Sequence, residues 1–145
     1  MGGNRLIYSH LLTQWASMGF VVLAIEHTDG MGSTARLAGK RGWMYFKGWG
    51  PGNFIDSCVE HRQAEMRHGV RLLKAINAEG SGVQHLTTLC SQKAQGVAAL
   101  DSLKGALDMS ALVLSGHSFG GATAAGAPLR HKVAGFLHHL HTDAA

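Results

Sequence analysis

The chain has 145 residues, of which 46% are hydrophobic and 15% charged, with 20 glycines and only two prolines. This composition excludes a disordered chain, which combines low hydrophobicity with high net charge, and the glycines lack the period of three that collagen requires. The net charge of +4 comes from scattered Lys and Arg, so no basic run indicates a nucleic-acid partner. Cys58 and Cys90 match no zinc-ligand spacing, which favours buried thiols, although a disulfide between them stays open.

The first predicted elements are a helix over residues 6–18 and a strand over residues 20–25. Apolar residues recur at helical spacing in the first segment, and Gly19 is a natural helix stop. The second segment is a short continuous apolar run, typical of a parallel strand that is buried on both faces. It is far shorter than a membrane span. The first residues lack the basic region and long apolar run of a signal peptide, so the compartment is left open, with the cytoplasm favoured.

A glycine-rich loop over residues 31–51 and a long helix over residues 54–77 follow. The helix has an apolar stripe and a charged face. A weaker helix over residues 92–107, a buried strand over 111–114 and a small-residue helix over 120–127 complete the order. This alternation predicts an α/β fold with a parallel sheet and right-handed crossover helices. The loop aromatics form either a lipid-facing rim or a layer packed over the sheet; they are Trp43, Tyr45, Phe46 and Trp49.

Residues 116–120 read Gly-His-Ser-Phe-Gly, a GxSxG motif between a predicted strand and a predicted helix. This setting is typical of a nucleophile elbow, in which the serine stands exposed at the carboxyl end of a sheet. Glycines are expected on both sides because side chains there would collide with neighbouring backbone. We therefore predict that Ser118 is a catalytic nucleophile and that the backbone N–H of Phe119 is one donor of an oxyanion hole.

Four segments of the chain carry a recognisable combination of residues. They are Met-Gly-Gly-Asn-Arg-Leu-Ile-Tyr-Ser at 1–9, Gly-Phe-Val-Val at 19–22, Glu-His-Thr-Asp-Gly at 26–30 and Gly-His-Ser-Phe-Gly-Gly-Ala-Thr at 116–123. Together with Trp-Met-Tyr at 43–45 and His-Arg-Gln at 61–63, they resemble the platelet-activating-factor acetylhydrolase family of the α/β-hydrolase superfamily. The resemblance implies a partial α/β-hydrolase fold and a serine esterase that removes a short acyl group from the sn-2 position of phospholipids. It implies a phospholipid substrate and no metal or other cofactor. Association with a membrane surface stays open, and it rests on the net positive charge and the loop aromatics.

The resemblance also assigns the site residues. Ser118 matches the family's nucleophile and Phe119 an oxyanion donor, and Met1 falls where the family's loop supplies the second N–H. The superfamily order is serine, acid, histidine, which makes Asp143 the best-placed acid, and the family's histidine falls beyond the residues present. The chain therefore resembles a single incomplete domain, family-like over residues 1–130 and divergent over 131–145.

Other polar residues are interpreted as structural. His138, His139 and His141 are expected to form a solvated tail, because they lack the partners that a zinc site or a catalytic base requires. Two functions besides the esterase stay open: a truncated non-catalytic or binding relative, and a general carboxylesterase or lipase. The turn, elbow and helix-cap groups without a predicted catalytic role are His27, His117, Asp29 and Asp56.

Overall fold

The computed structural model describes residues 2–36, 42–48, 50–83 and 93–127. In chain order these contain helix α1 (Ser9–Ser17), strands β1 (Thr34–Arg36) and β2 (Trp43–Tyr45), helix α2 (Phe54–Glu79), a 3-10 turn (Gly80–Gly82), helix α3 (Lys93–Ser102) and helix α4 (Phe119–Gly126). The four predicted helices are confirmed, although α3 ends earlier than expected. None of the helices in these ranges is both long and apolar enough to cross a membrane.

Helix α1 ends where the sequence predicts. Gly19 has a φ of 93°, a left-handed conformation that glycine adopts without steric cost. Its amide donates to the carbonyl of Ala16 at 3.0 Å, which closes the last turn before the chain enters residues 20–25. No residue of α1 is buried, so this helix lies on the surface.

Helix α2 packs one face against the rest of the described chain. Its buried residues recur every few positions and are Cys58, Arg62, Met66, Gly69, Val70 and Ile76. At Gly69 the absence of a side chain permits a close approach, because a Cβ there would lie 3.0 Å from Cδ2 of Leu23. Residues 20–25 therefore lie directly against α2.

A small apolar core joins α2 to α4. Ile25 and Leu114 come from the two predicted strands and pack against this core, so both segments lie beside the same pair of helices. The small side chains of α4 let it approach α2 closely. The buried members of the core are Met66, Ala124 and Ala127.

The described residues do not confirm the prediction of two buried strands. Segments 20–25 and 111–114 belong to no hydrogen-bonded ladder there, and Phe20 and Val113 are 56% and 47% exposed. A strand requires a neighbour that pairs with its backbone groups, and no described segment pairs with either one. The described residues therefore do not confirm the parallel sheet.

The strand pairing in the described ranges lies instead within the segment predicted as a loop. β1 and β2 pair antiparallel, with Thr34 opposite Tyr45 and Arg36 opposite Trp43. The guanidinium of Arg36 lies 6.0 Å from the centre of the Trp43 ring. The hairpin is short, and both strands have outward-facing side chains.

Asn77 fixes the chain after α3 to the end of α2. Its amide group donates to the carbonyl of Leu107 at 3.2 Å and its side-chain oxygen accepts the Leu107 N–H at 3.0 Å. The Gly105 amide donates to the Asn77 carbonyl at 2.8 Å. These bonds hold residues 105–107 against the end of α2.

Candidate active site

Ser118 lies between residues 111–117 and α4 with an unusual backbone conformation. Its φ is 56° and its ψ −120°, and among the described residues it is the only non-glycine residue with a positive φ. Such conformations are uncommon for residues with a side chain and cluster at functional sites. Ser118 is exposed and precedes the first residue of α4, at the end of the helix where the dipole favours negative charge.

Gly116 and Gly120, the two glycines of the motif, differ in whether the turn has room for a side chain at their position. A Cβ at Gly116 would collide with the carbonyl group of Gly120 and lie 2.8 Å from the amide nitrogen of Gly121. The turn can therefore close only without a side chain at position 116. Nothing in the described residues lies within 4 Å of a Cβ at Gly120. The predicted collision is thus confirmed at Gly116 and wrong at Gly120.

A buried ion pair contacts the first residue of α4. Nε of Arg62 donates to Asp29 at 2.5 Å and Nη2 donates to its other oxygen at 3.3 Å. The Asp29 side chain is 2% exposed and that of Arg62 9%. The guanidinium carbon of Arg62 lies 4.7 Å from the centre of the Phe119 ring. Asp29 also accepts the Met31 N–H at 2.9 Å, which confirms its role as a turn residue.

Sequence reasoning missed the partnership between Arg62 and Asp29. The two residues are 33 positions apart, so no local pattern connects them. The available signal was an arginine among the apolar positions of an amphipathic helix, where a buried charge requires a partner. The sequence alone does not say which carboxylate would be that partner.

Cys58 lies next to this ion pair. It is a free, buried thiol, as the sequence predicts. Burial raises the pKa of the Cys58 thiol, and the negative charge of Asp29 raises it further. The thiol therefore stays protonated near neutral pH and is a poor nucleophile. Cys90 lies outside the described residues.

Glu65 joins α2 to the turn over residues 26–30. Its two oxygens contact His27 Nδ1 at 2.7 Å and His61 Nε2 at 3.0 Å. The Thr28 amide and hydroxyl donate to Glu65 at 2.9 and 2.6 Å. Burial opposes ionisation of Glu65, but the hydrogen bonds from His27 and Thr28 outweigh it and lower the pKa of Glu65 to about 2. The prediction that His27 is a hydrogen-bonded turn residue is confirmed.

His117 is engaged with Tyr8 and not with its neighbour in the motif. The Tyr8 hydroxyl and His117 Nδ1 are 2.7 Å apart, and the two rings meet edge to face. Within the described part of the chain, no hydrogen bond joins the Ser118 hydroxyl to a histidine. Asp56 lies in the first turn of α2, where a negative charge is favourable.

The other predicted site residues fall outside the described ranges. They are the oxyanion donor Met1, the acid Asp143, and the tail histidines His138, His139 and His141.

The described residues contain no group of three or more His, Cys, Asp or Glu side chains that could hold a metal ion.

Comparisons with known proteins agree on one family. The profile of the family "Platelet-activating factor acetylhydrolase, isoform II" matches residues 1–136. The chain is 33% identical over 137 residues to the platelet-activating factor acetylhydrolase of Cavia porcellus, covering 85% of this chain and 28% of that protein. It is 29% identical over 140 residues to the one of Gallus gallus, covering 85% and 32%.

A relative with another name matches to a similar extent. The chain is 31% identical over 138 residues to a putative phospholipase A2 of Schizosaccharomyces pombe, covering 85% of this chain and 32% of that protein. The chain thus spans less than a third of the length of these curated relatives. No solved structure matches.

Proposed function

The chain belongs to the platelet-activating factor acetylhydrolase, isoform II, family, and on that premise we propose that it is part of a serine esterase acting on phospholipids. The substrate we propose is a 1-alkyl-2-acetylglycerophosphocholine or a similar phospholipid with a short sn-2 acyl group. The names of its relatives support a phospholipid ester hydrolase. The fold we propose is a partial α/β-hydrolase domain over residues 1–145, which is family-like over residues 1–130. In this fold, segments 20–25 and 111–114 pair with further strands to form a parallel sheet.

Ser118 is the nucleophile in this proposal. Its hydroxyl oxygen attacks the sn-2 carbonyl carbon while a histidine accepts the hydroxyl proton, and the carbonyl oxygen becomes an oxyanion. The Phe119 N–H and the helix end hold that oxyanion, with Met1 as the proposed second donor. Collapse of the intermediate breaks the ester bond, the histidine returns its proton to the departing lysophospholipid oxygen, and water then hydrolyses the acyl-serine. Asp143 is the proposed acid that orients the histidine.

One observation carries the proposal more than any other. Ser118 has a positive φ at the start of α4, in a turn that a side chain at Gly116 would prevent from closing. A serine on a surface loop without function would have no reason to carry this strain. Ser118 is exposed at the start of α4, and this supports the proposal because an attacking serine must be reachable by its substrate.

A fluorophosphonate probe tests the assignment, because it forms a covalent bond only with an activated serine. We expect the folded chain to be labelled at Ser118, and the label to be lost in Ser118→Ala. Ser115→Ala is the matched control, since Ser115 is an exposed serine three positions earlier and its removal should leave labelling unchanged. A folded sample that takes up no label would refute catalysis by this chain on its own.

The second candidate function is a non-catalytic relative that binds phospholipid. The observation that favours it is that no histidine of the described residues is hydrogen-bonded to the Ser118 hydroxyl. Removing one member of a catalytic triad leaves only residual catalysis. In that case the chain would bind phospholipid vesicles without labelling at Ser118. A general carboxylesterase would instead label and cleave soluble short-chain esters as fast as phospholipids.

Contact with a lipid surface is a further part of the proposal. Trp43 and Tyr45 project from the same side of β2 and are 56% and 64% exposed, and the adjacent Phe46 is 42% exposed. Aromatic rings of this kind favour the water–lipid interface. We expect Trp43→Ala to reduce co-sedimentation with phosphatidylcholine vesicles, whereas Ile55→Ala, which removes an exposed apolar side chain from α2, should not. Equal losses in both variants would contradict a role for the hairpin.

A further inference from the structure

We propose that Arg62 is a positioning residue for the nucleophile elbow, which it orients through the ring of Phe119. The effect of Arg62 on catalysis rests on the proposed function, in which the Phe119 N–H stabilises an oxyanion. The rigidity of the turn after Ser118 does not depend on that function and can be measured separately.

Arg62 is itself held in one orientation. It is buried on α2 among apolar neighbours, and two hydrogen bonds to Asp29 fix the plane of its guanidinium. Planar two-point pairing of this kind is specific to arginine, because a lysine ammonium is a point charge on a flexible stem. Since Asp29 also accepts the Met31 amide, the guanidinium is tied to the turn after residue 25 as well as to α2.

Phe119 transmits this fixed orientation to the elbow. Its ring centre lies 4.7 Å from the guanidinium carbon, within the range of a cation–π attraction, which is greater for groups withdrawn from water. Phe119 directly follows Ser118, whose φ of 56° is costly for a residue with a side chain and persists only where neighbouring contacts hold it. Holding the ring therefore restricts rotation of the peptide group between these two residues, and with it the direction of the Phe119 N–H.

A simpler role for Arg62 leads to a different expectation. If Arg62 only joins α2 to the turn that contains Asp29, its contact with the ring of Phe119 has no effect on the elbow. Removing the ring while keeping the ion pair would then leave the elbow unchanged. The two roles are therefore separated by variants at Phe119, which leave both members of the Arg62–Asp29 ion pair in place.

The experiment measures amide hydrogen exchange at Gly120 and Gly121, whose N–H groups donate within the elbow at 2.9 Å. Phe119→Leu keeps apolar bulk but removes the aromatic face, and Phe119→Tyr keeps that face. We expect exchange at both glycines to be about tenfold faster in Phe119→Leu, relative to the amides of α2, and unchanged in Phe119→Tyr. Arg62→Lys should act like Phe119→Leu, whereas Arg71→Lys, at an exposed position on the same helix, should have no effect.

Wild-type exchange in Phe119→Leu would overturn the proposal. If Arg62→Lys does not fold, because a buried arginine has been replaced, the comparison between Phe119→Leu and Phe119→Tyr still decides the question. The rate of fluorophosphonate labelling at Ser118 is the second measurement, and we expect it to fall about tenfold in Phe119→Leu and to be restored in Phe119→Tyr. A wild-type chain that takes no label would contradict the proposed function alone, because exchange at the elbow would still report how Phe119 is held.

Discussion

Replacing Gly116 by alanine should destabilise the chain, while the same replacement at Gly120 should not. The added Cβ at position 116 meets backbone atoms, including the Gly121 nitrogen at 2.8 Å, and backbone cannot move aside as the end of a flexible side chain can. Overpacking of this kind costs about 1–3 kcal/mol, and the rigidity of the turn favours the upper part of that range. At Gly120 the space is open, and alanine in a helix is favoured over glycine by about 0.5–1 kcal/mol. We therefore expect the two variants to differ by about 2–4 kcal/mol in unfolding free energy.

Urea denaturation followed by circular dichroism at the helix signal measures this difference directly. Both variants add one methyl group at a glycine of the same motif, so each is the control for the other. Fluorophosphonate labelling should be lost in Gly116→Ala even at temperatures where the chain remains folded, because the serine can no longer adopt its positive φ. Equal midpoints for Gly116→Ala and Gly120→Ala would refute the argument that a close backbone approach maintains the elbow.

Three further predictions concern other groups of the described chain. The pKa of Glu65 is lowered to about 2, so its contribution to stability is present above its unfolded pKa of about 4.3 and is lost as the pH falls towards 2. Glu65→Gln removes this contribution, so we expect the variant to lose less unfolding free energy than wild type over that pH range, by on the order of 2 kcal/mol. In a Cys90→Ser background, Cys58 should react with iodoacetamide at least about tenfold more slowly in the folded chain than in denaturant, because burial raises its thiol pKa. Tyr8→Phe removes the hydrogen bond to His117 and should lower the unfolding free energy by about 0.5–1 kcal/mol in urea denaturation.

Each of these three has a result that contradicts it. A Glu65→Gln chain with the same acid sensitivity as wild type would assign the pH dependence to other carboxylates. Rapid alkylation of folded Cys58 would show that the thiol is accessible and ionised. A Tyr8→Phe variant as stable as wild type would mean that water satisfies His117 equally well.

The helices and the motif could be predicted from the sequence because their causes are local. The apolar stripe of α2 and the stop at Gly19 depend on residues within a few turns of each other. The turn at Ser118 is likewise specified by its neighbours, since the side chain excluded at Gly116 would meet atoms only four and five positions away. The buried state of Cys58 was instead predictable from cysteine usage, because two cysteines without a ligand spacing are typical of buried thiols.

Only the tertiary structure decided which residues meet across long stretches of chain. Asp29 pairs with Arg62 and Tyr8 with His117, which are 33 and 109 positions apart, and nothing local in the sequence selects these partners. The continuous apolar runs at 20–25 and 111–114 predict strands, but strand formation depends on a neighbour that completes the backbone hydrogen bonds, and no described segment pairs with either run. The local sequence pattern therefore determines what a segment can form, whereas pairing in three dimensions decides what it does form.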